Sequence, residues 1–201
     1  DEMRAAMKLD LNDTPSAPVV AFGGAEEDDL MSQAAQASDH FNAVQTAADD
    51  LALFGPTSGT TGVPKITMHF HRDILANADT FAKHILKMKQ GDKVICSAPF
   101  AFTFCLGAQV VFPLRFGASA LLVEKATPLE LAQLAHDHDC NYFFTAPTGY
   151  RAILKEGMGD LLKKVETAVS AGEHLPKDTW ELVHEKTGLK LVDGIGSTEL
   201  L

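Results

Sequence analysis

Asn141-Tyr142-Phe143-Phe144-Thr145-Ala146-Pro147-Thr148-Gly149-Tyr150-Arg151-Ala152-Ile153-Leu154-Lys155 is the stretch that decides the fold. Its opening residues, rich in aromatics and closed by Thr145, predict a strand over Asn141–Thr145. Pro147 stands where a first helical turn tolerates the missing N–H, and a helix is expected over Pro147–Lys155. The same unit repeats outward in both directions. Further strands are expected at Lys93–Ser97, Ser119–Val123, Thr167–Ser170 and Lys190–Val192. Between them lie helical segments at Cys105–Phe116, Pro128–His138 and Pro176–Thr187, with Pro128 and Pro176 placed like Pro147. Strands alternating with helices of this length imply βαβ units with right-handed crossovers. The expected class is α/β, a mostly parallel sheet with flanking helices.

Nearer the start, Leu51-Ala52-Leu53-Phe54 is an apolar run closed by Gly55-Pro56, and a Ser/Thr/Gly loop leads to Lys65. Ile66–Phe70 resumes as a strand. His71–Lys87 is the clearest helix, with Ile74, Leu75, Ala78, Phe81, Ala82, Ile85 and Leu86 on one core-facing stripe. In residues 1–50 the pattern predicts a helix over Glu2–Leu9, a break at Pro15 and Pro18, and a strand over Val19–Phe22 ended by Gly23-Gly24. A second helix opens in the acidic run Glu26–Asp29 and continues to about Gln36. Two parts are expected: residues 1–50 as an acidic segment of a preceding subdomain, and residues 51–201 as an incomplete α/β subdomain.

The charge supports that division. Of the net −10 over 201 residues, residues 1–50 carry eleven acidic and two basic side chains, and the remainder is nearly neutral. Such a balance argues against sequence-independent nucleic-acid binding. At 46% hydrophobic and 22% charged, the composition is globular. Three sparse cysteines in apolar surroundings (Cys96, Cys105, Cys140) fit buried thiols in a reducing compartment. With no long apolar run and no signal peptide at the start, neither a membrane partner nor export is expected, and the cytoplasm is the default. Opening on Asp1 and stopping at Leu200-Leu201 directly after a polar motif, the chain reads as a fragment of a longer protein.

Chemistry is expected at strand exits, where parallel sheets gather ligands. Thr57-Ser58-Gly59-Thr60-Thr61-Gly62-Val63-Pro64-Lys65 combines glycines that admit close backbone approach, four hydroxyl donors and one compact positive charge. That set suits a polyphosphate cradle, although a surface turn would use the same residues. It is not the GxxxxGK[ST] pattern. Asp193-Gly194-Ile195-Gly196-Ser197-Thr198-Glu199 follows the last strand. Thr198 there can donate to a phosphate oxygen, and Glu199 can hold a hard cation. Ala171-Gly172-Glu173-His174 follows the strand before it. All three motifs are expected on one edge of the sheet.

Together these residues resemble the adenylate-forming (AMP-binding) acyl-CoA synthetase superfamily. The run Ser58–Lys65 matches its signature loop, and His71 falls six residues beyond the lysine, where the family usually has a histidine. Ala171–His174 is similar to its adenine-binding turn. Ile195–Glu199 is similar to its aromatic-Gly-x-Thr-Glu motif, with Ile195 in place of the aromatic. Pro99–Gly107, Pro113–Ala118 and Asp193–Gly196 look most like the benzoate and 2-aminobenzoate CoA ligase branch, with Phe102 where many relatives carry histidine.

The resemblance implies a two-step ligase of which this chain is part of the large N-terminal domain. A carboxylate attacks the α-phosphate of ATP to give an acyl-adenylate and pyrophosphate, and CoA then displaces AMP. Thr57, Ser58, Gly59, Thr60, Thr61, Gly62 and Lys65 would hold the phosphates. Thr198 would contact the α-phosphate and Glu199 the Mg2+, and Lys65, Thr198 and Glu199 would be the catalytic set. Gly172, Glu173 and His174 would flank the adenine, with Asp193, Gly194, Ile195, Gly196 and Ser197 shaping the nucleotide floor. Ala101, Phe102, Ala171, Gly172, Gly194 and Gly196 would line the site of a small aryl or acyl carboxylate. The family's ribose-binding Asp, hinge and C-terminal catalytic Lys fall beyond Leu201, so the 201 residues alone are expected to bind nucleotide weakly and not to turn over.

Other readings stay open: a medium-chain fatty acyl-CoA ligase, a carrier-protein-loading adenylation domain, a phosphotransferase, or a non-catalytic nucleotide- or acyl-binding module. A homodimer is compatible with the sequence. Three features carry bland alternatives. Phe100, Phe102 and Phe104 alternate as a core strand would, His136-Asp137-His138-Asp139-Cys140 reads as a polar helix end rather than a metal site, and Cys105 reads as a buried hydrophobe. Tyr150 is expected to be half-buried packing, and His71 a structural hydrogen-bonder.

Overall fold

A computed structural model describes residues 22–23, 29–57 and 65–201. The chain divides into two compact units, Asp1–Gln45 and Thr46–Leu201. The Glu2–Leu9 helix and nearly all of the Val19–Phe22 strand lie outside the described residues. In the first unit, helix α1 (Leu30–Gln36) starts where Asp29 caps it, its carboxylate accepting from the Met31 N–H at 2.9 Å.

The second unit opens with a hairpin, β1 (Leu51–Thr57) and β2 (Lys65–Phe70), paired antiparallel with Thr57 opposite Lys65. Helix α2 (His71–Asn77) follows and runs without a break into a π-helical stretch, Ala78–Leu86. After β3 (Lys93–Cys96), a second continuous helix contains α3 (Thr103–Leu106), a π turn (Gly107–Val111) and α4 (Phe112–Phe116). Gly117 ends it at φ 69, a left-handed conformation that glycine adopts without a Cβ penalty. Next come β4 (Ser119–Ala120), α5 (Pro128–Asp137), β5 (Tyr142–Thr145), α6 (Pro147–Lys155), a 3-10 turn (Gly159–Leu162), β6 (Thr167–Ser170), α7 (Lys177–Thr187) and β7 (Leu191–Asp193). A reciprocal cap fixes the start of α5. Glu130 Oε2 accepts from the Thr127 N–H and from the Thr127 hydroxyl, each at 2.8 Å, which holds the Glu130 carboxyl below its ordinary value, while Thr127 Oγ1 accepts from the Glu130 N–H.

β3 to β7 form one parallel sheet in the order β4-β3-β5-β6-β7. The chain leaves β3 in one direction to make β4, then crosses back to make β5. The switch point therefore lies at the carboxyl ends of β3 and β5. Successive residues feed opposite faces of the sheet. Ile95, Phe143, Ala168 and Leu191 pack on one face with Leu131, Ala135, Ile153 and Val183 of α5, α6 and α7. Val94, Cys96, Phe144 and Val169 pack on the other with Ala78, Ala82, Cys105, Ala108 and Phe112.

The α/β class is observed, and β6 and α6 have the expected bounds. Several expectations need correction. The strands flanking the Ser/Thr/Gly loop belong to a separate antiparallel hairpin, so that loop does not leave the parallel sheet as the other two motifs do. Pro176 is the N-cap of α7, one residue before its first turn. Phe100 and Phe102 lie in a turn and Phe104 in α3, so the alternating aromatics are not a strand. Of the stripe on the first long helix, Ala78, Ala82 and Leu86 are buried, but Leu75, in α2, and Ile85 are exposed; Ile85 lies in the π-helical stretch, whose wider turn departs from the 3.6-residue period. Tyr150 is wholly buried, its hydroxyl donating to the carbonyls of Phe143 and Val169 at 3.1 and 3.0 Å. Among the described residues, no helix is long and apolar enough to cross a membrane.

Candidate functional site

The hairpin and the segment after β7 meet at Thr198. Its carbonyl accepts from the buried His69 Nε2 at 2.6 Å and from Thr67 Oγ1 at 3.4 Å. Thr67 Oγ1 also donates to the Gly55 carbonyl at 3.0 Å, so both hairpin strands share the junction. Gly55 is buried against the same threonine, and a Cβ there would sit 2.6 Å from Thr198 Cγ2. Residues 129 positions apart are thereby held in one place. The histidine that makes the tie is His69; His71, the one singled out in the sequence, begins α2 and donates its backbone N–H to Asp50.

Lys65 pairs with Thr57 at the hairpin end, where Thr57 Oγ1 donates to the Lys65 carbonyl at 3.4 Å. Ser58, Gly59, Thr60, Thr61 and Gly62 lie outside the described residues. Glu199 follows Thr198 in a turn and is exposed.

Beside this junction is a cavity of about 370 Å3 at the carboxyl ends of β5, β6 and β7. Its walls are aromatic: Phe81, Phe102, Phe104, Phe112 and Phe144. Phe104 meets Phe144 with centroids 5.8 Å apart, and Phe81 meets Phe112 at 6.1 Å, both tilted. The floor is backbone-rich, built from Ala171, Gly172, Gly194, Ile195, Gly196, Ser197 and Thr198. Gly172 has φ 87, which a side chain would strain, and the Gly194 N–H donates to the Ser170 carbonyl at 2.9 Å.

Eight of the residues singled out in the sequence therefore line one cavity: Phe102, Ala171, Gly172, Gly194, Ile195, Gly196, Ser197 and Thr198. Ala101, Glu173, His174, Asp193, Lys65 and Glu199 are not among its lining residues. Glu173 instead accepts from Thr148 Oγ1 at 3.0 Å, tying the turn after β6 to the start of α6. Sequence reasoning missed Asn77, which lines the cavity and donates from Nδ2 to the Leu201 carbonyl at 2.8 Å. It also assigned Phe81 only to core packing. A polar residue in a helical stripe otherwise apolar was the available signal for Asn77.

Cys140 is buried in the core at the end of the turn after α5, and desolvation pushes its thiol up to about 11. Among the described residues no group of three His, Cys, Asp or Glu side chains converges as a metal cage.

A parallel α/β sheet with an aromatic-walled, glycine-floored cavity at its carboxyl edge is the architecture in which this fold class gathers ligands. More particularly, the chain belongs to the AMP-binding enzyme family, whose pattern matches residues 3–201. It is 37% identical over 190 residues to the benzoate–CoA ligase of Thauera aromatica, covering 91% of this chain and 35% of that one. Two solved structures are each 32% identical. The anthranilate CoA ligase AuaEII in complex with anthranoyl-AMP has a TM-score of 0.74, covering 80% of this chain and 32% of that one. A benzoate CoA ligase from Burkholderia xenovorans LB400 has a TM-score of 0.67, covering 79% and 32%. The chain thus spans about a third of the length of these relatives.

Proposed function

We propose that the chain is the nucleotide- and carboxylate-binding portion of an AMP-forming aryl-CoA ligase, acting on a benzoate- or 2-aminobenzoate-type acid. The observation that carries this reading is the docking of the loop-bearing hairpin onto Thr198 through His69 at 2.6 Å, beside an aromatic cavity of about 370 Å3.

In the proposed reaction the loop amides, the hydroxyls of Thr57, Ser58, Thr60 and Thr61, and the Lys65 ammonium hold the phosphates of ATP. The chemistry at phosphorus asks for charge neutralisation and in-line placement more than for a strong base. Thr198 donates to the α-phosphate, its main chain fixed by His69 and Thr67. Gly172, Gly194 and Gly196 let the nucleotide lie close to backbone, while Glu173, fixed by Thr148, and His174 flank the adenine. The aryl ring packs among Phe102, Phe104 and Phe144, and its carboxylate faces the Thr198 end of the cavity. Glu199 suits Mg2+, which is commonly held by one or two carboxylates plus substrate phosphates. That ion would neutralise charge on the leaving pyrophosphate. CoA, the second substrate, then takes the acyl group and releases AMP.

Carboxylate-dependent ATP–pyrophosphate exchange by the intact protein tests the reading, with benzoate, 2-aminobenzoate and a medium-chain fatty acid as substrates. Exchange that requires an aryl acid is expected. Exchange with the fatty acid alone would move the assignment to a fatty acyl-CoA ligase, and Mg-ATP binding without exchange to a binding module.

A further inference from the structure

One side chain in the wall of the aromatic cavity is a fixed acceptor. Asn77 closes α2 and lines the cavity one helical turn before Phe81. Its amide nitrogen is engaged, Nδ2 donating to the Leu201 carbonyl at 2.8 Å. Among the described residues Oδ1 has no donor. The other polar side chains of the lining, Thr103, Ser197 and Thr198, are hydroxyls, which turn to donate or to accept. An amide oxygen whose nitrogen is engaged can only accept, and turning the amide over would set oxygen against the Leu201 oxygen.

The same bond gives Asn77 its place. Leu201 lies three residues beyond Thr198 and lines the cavity with it, so Asn77 stands at the Thr198 end. The function proposed above gives that end to the carboxylate of an aryl acid, with the ring among Phe102, Phe104 and Phe144. A substituent ortho to the carboxylate shares its end of the cavity, and a substituent across the ring does not.

We propose that Asn77 is a specificity-determining residue whose Oδ1 accepts a hydrogen bond from the amino group of a 2-aminobenzoate. The inference rests on the aryl-CoA ligase reading and narrows it from benzoates at large to an ortho-amino acid. An ortho amino group carries two N–H bonds. One turns inward to the acid's own carboxylate, and the second is left for Oδ1. A 2-hydroxyl has a single O–H, which the neighbouring carboxylate takes. Benzoate offers no donor at all, so its ring strips water from Oδ1 and leaves the oxygen unpaired. A site built to bond a substrate N–H discriminates against the analogue without it for this reason.

The test is equilibrium titration of the intact protein with 2-aminobenzoate, benzoate, 2-hydroxybenzoate and 4-aminobenzoate. 2-Aminobenzoate is followed by its own fluorescence and the other acids by displacing it. Wild type is expected to bind 2-aminobenzoate about tenfold more tightly than each of the others, the worth of one hydrogen bond. This series needs no variant to fold. Two variants then separate the acceptor from the tie to Leu201. Asn77→Leu and Asn77→Asp both lose the donor to Leu201, but only the leucine loses the acceptor. The ratio of 2-aminobenzoate to benzoate affinity cancels whatever the lost tie does to both ligands. Asn77→Leu is expected to bring that ratio near one, and Asn77→Asp to keep it. An unchanged ratio in Asn77→Leu, or the same change in both variants, would overturn the role of Oδ1. Binding of all four acids by wild type without preference would overturn the inference and leave the aryl-acid site standing. Binding of no aryl acid would overturn both.

Discussion

Replacing Gly55 by alanine tests whether the hairpin is held on Thr198 as described. The added Cβ would meet Thr198 Cγ2 at 2.6 Å and Thr67 Oγ1 at 2.7 Å. Both are short threonine side chains without the reach to swing away. The nearer contact is about 0.8 Å inside the 3.4 Å at which such contacts become ordinary. If the hairpin takes that whole displacement along the contact, the His69–Thr198 bond opens from 2.6 Å to about 3.4 Å, at the limit of bonding. Overpacking of this kind costs about 1–3 kcal/mol, and the weakened bond adds about 1 kcal/mol. Urea denaturation of the chain should show the stability loss, and hydrogen exchange at the β1 and β2 amides should accelerate where the hairpin opens locally. Gly196→Ala is the control, because its Cβ meets nothing within 4 Å, and a change within about 0.5 kcal/mol is expected there. A Gly55→Ala chain as stable as Gly196→Ala, with protected hairpin amides, would refute the docking.

Phe102→Ala in the intact protein is expected to weaken 2-aminobenzoate binding by about tenfold, the loss of roughly 1.4 kcal/mol of aromatic packing, with ATP affinity unchanged. A fluorescence titration reads both, and equal losses for the two ligands would count against this wall of the cavity. Glu199→Gln is expected to raise the Mg2+ concentration needed for half-maximal ATP–pyrophosphate exchange while leaving aryl-acid binding alone, and an unchanged Mg2+ requirement would remove Glu199 from that role. Burial raises both tyrosines: Tyr142 to about 12, and Tyr150 well above the ordinary 10.0. Their contribution to stability is complete below pH 10.0 and is lost as pH rises through the folded values, since the unfolded phenols release protons first. Tyrosinate absorbance should therefore stay low between pH 10 and about 12 until the chain unfolds, and early ionisation would contradict the buried bonds of Tyr150.

Most elements of the parallel sheet were legible because their signals are local. Thr167–Ser170 and Pro147–Lys155 are bounded by residues that begin or end strands and helices on their own account. Strand direction is not local. Ile66–Phe70 alternates equally well in a parallel or an antiparallel pair, and only the register of Thr57 with Lys65 shows the hairpin. The glycine floor was legible as chemistry, since Gly172, Gly194 and Gly196 stand where strands end. The tie through His69 was not, because nothing near it in sequence points to Thr198. Phe100, Phe102 and Phe104 show the converse limit: their alternation fits a strand, but the chain turns before Thr103 and starts a helix. Ile85 was misplaced because a period of 3.6 was applied across a π segment.

The bond between His69 and Thr198 also orders events in time. Its partners are separated by 129 residues, whereas β5, α6, β6, α7 and β7 follow one another in both chain and sheet. Contacts between distant positions form late, after loop closure has been offset by local structure. During synthesis the hairpin leaves the ribosome long before Thr198 does, and waits undocked with His69 lacking its carbonyl partner. Half of the junction is thus made early and the other half late, and the growing chain cannot engage a ligand across it until Thr198 has emerged.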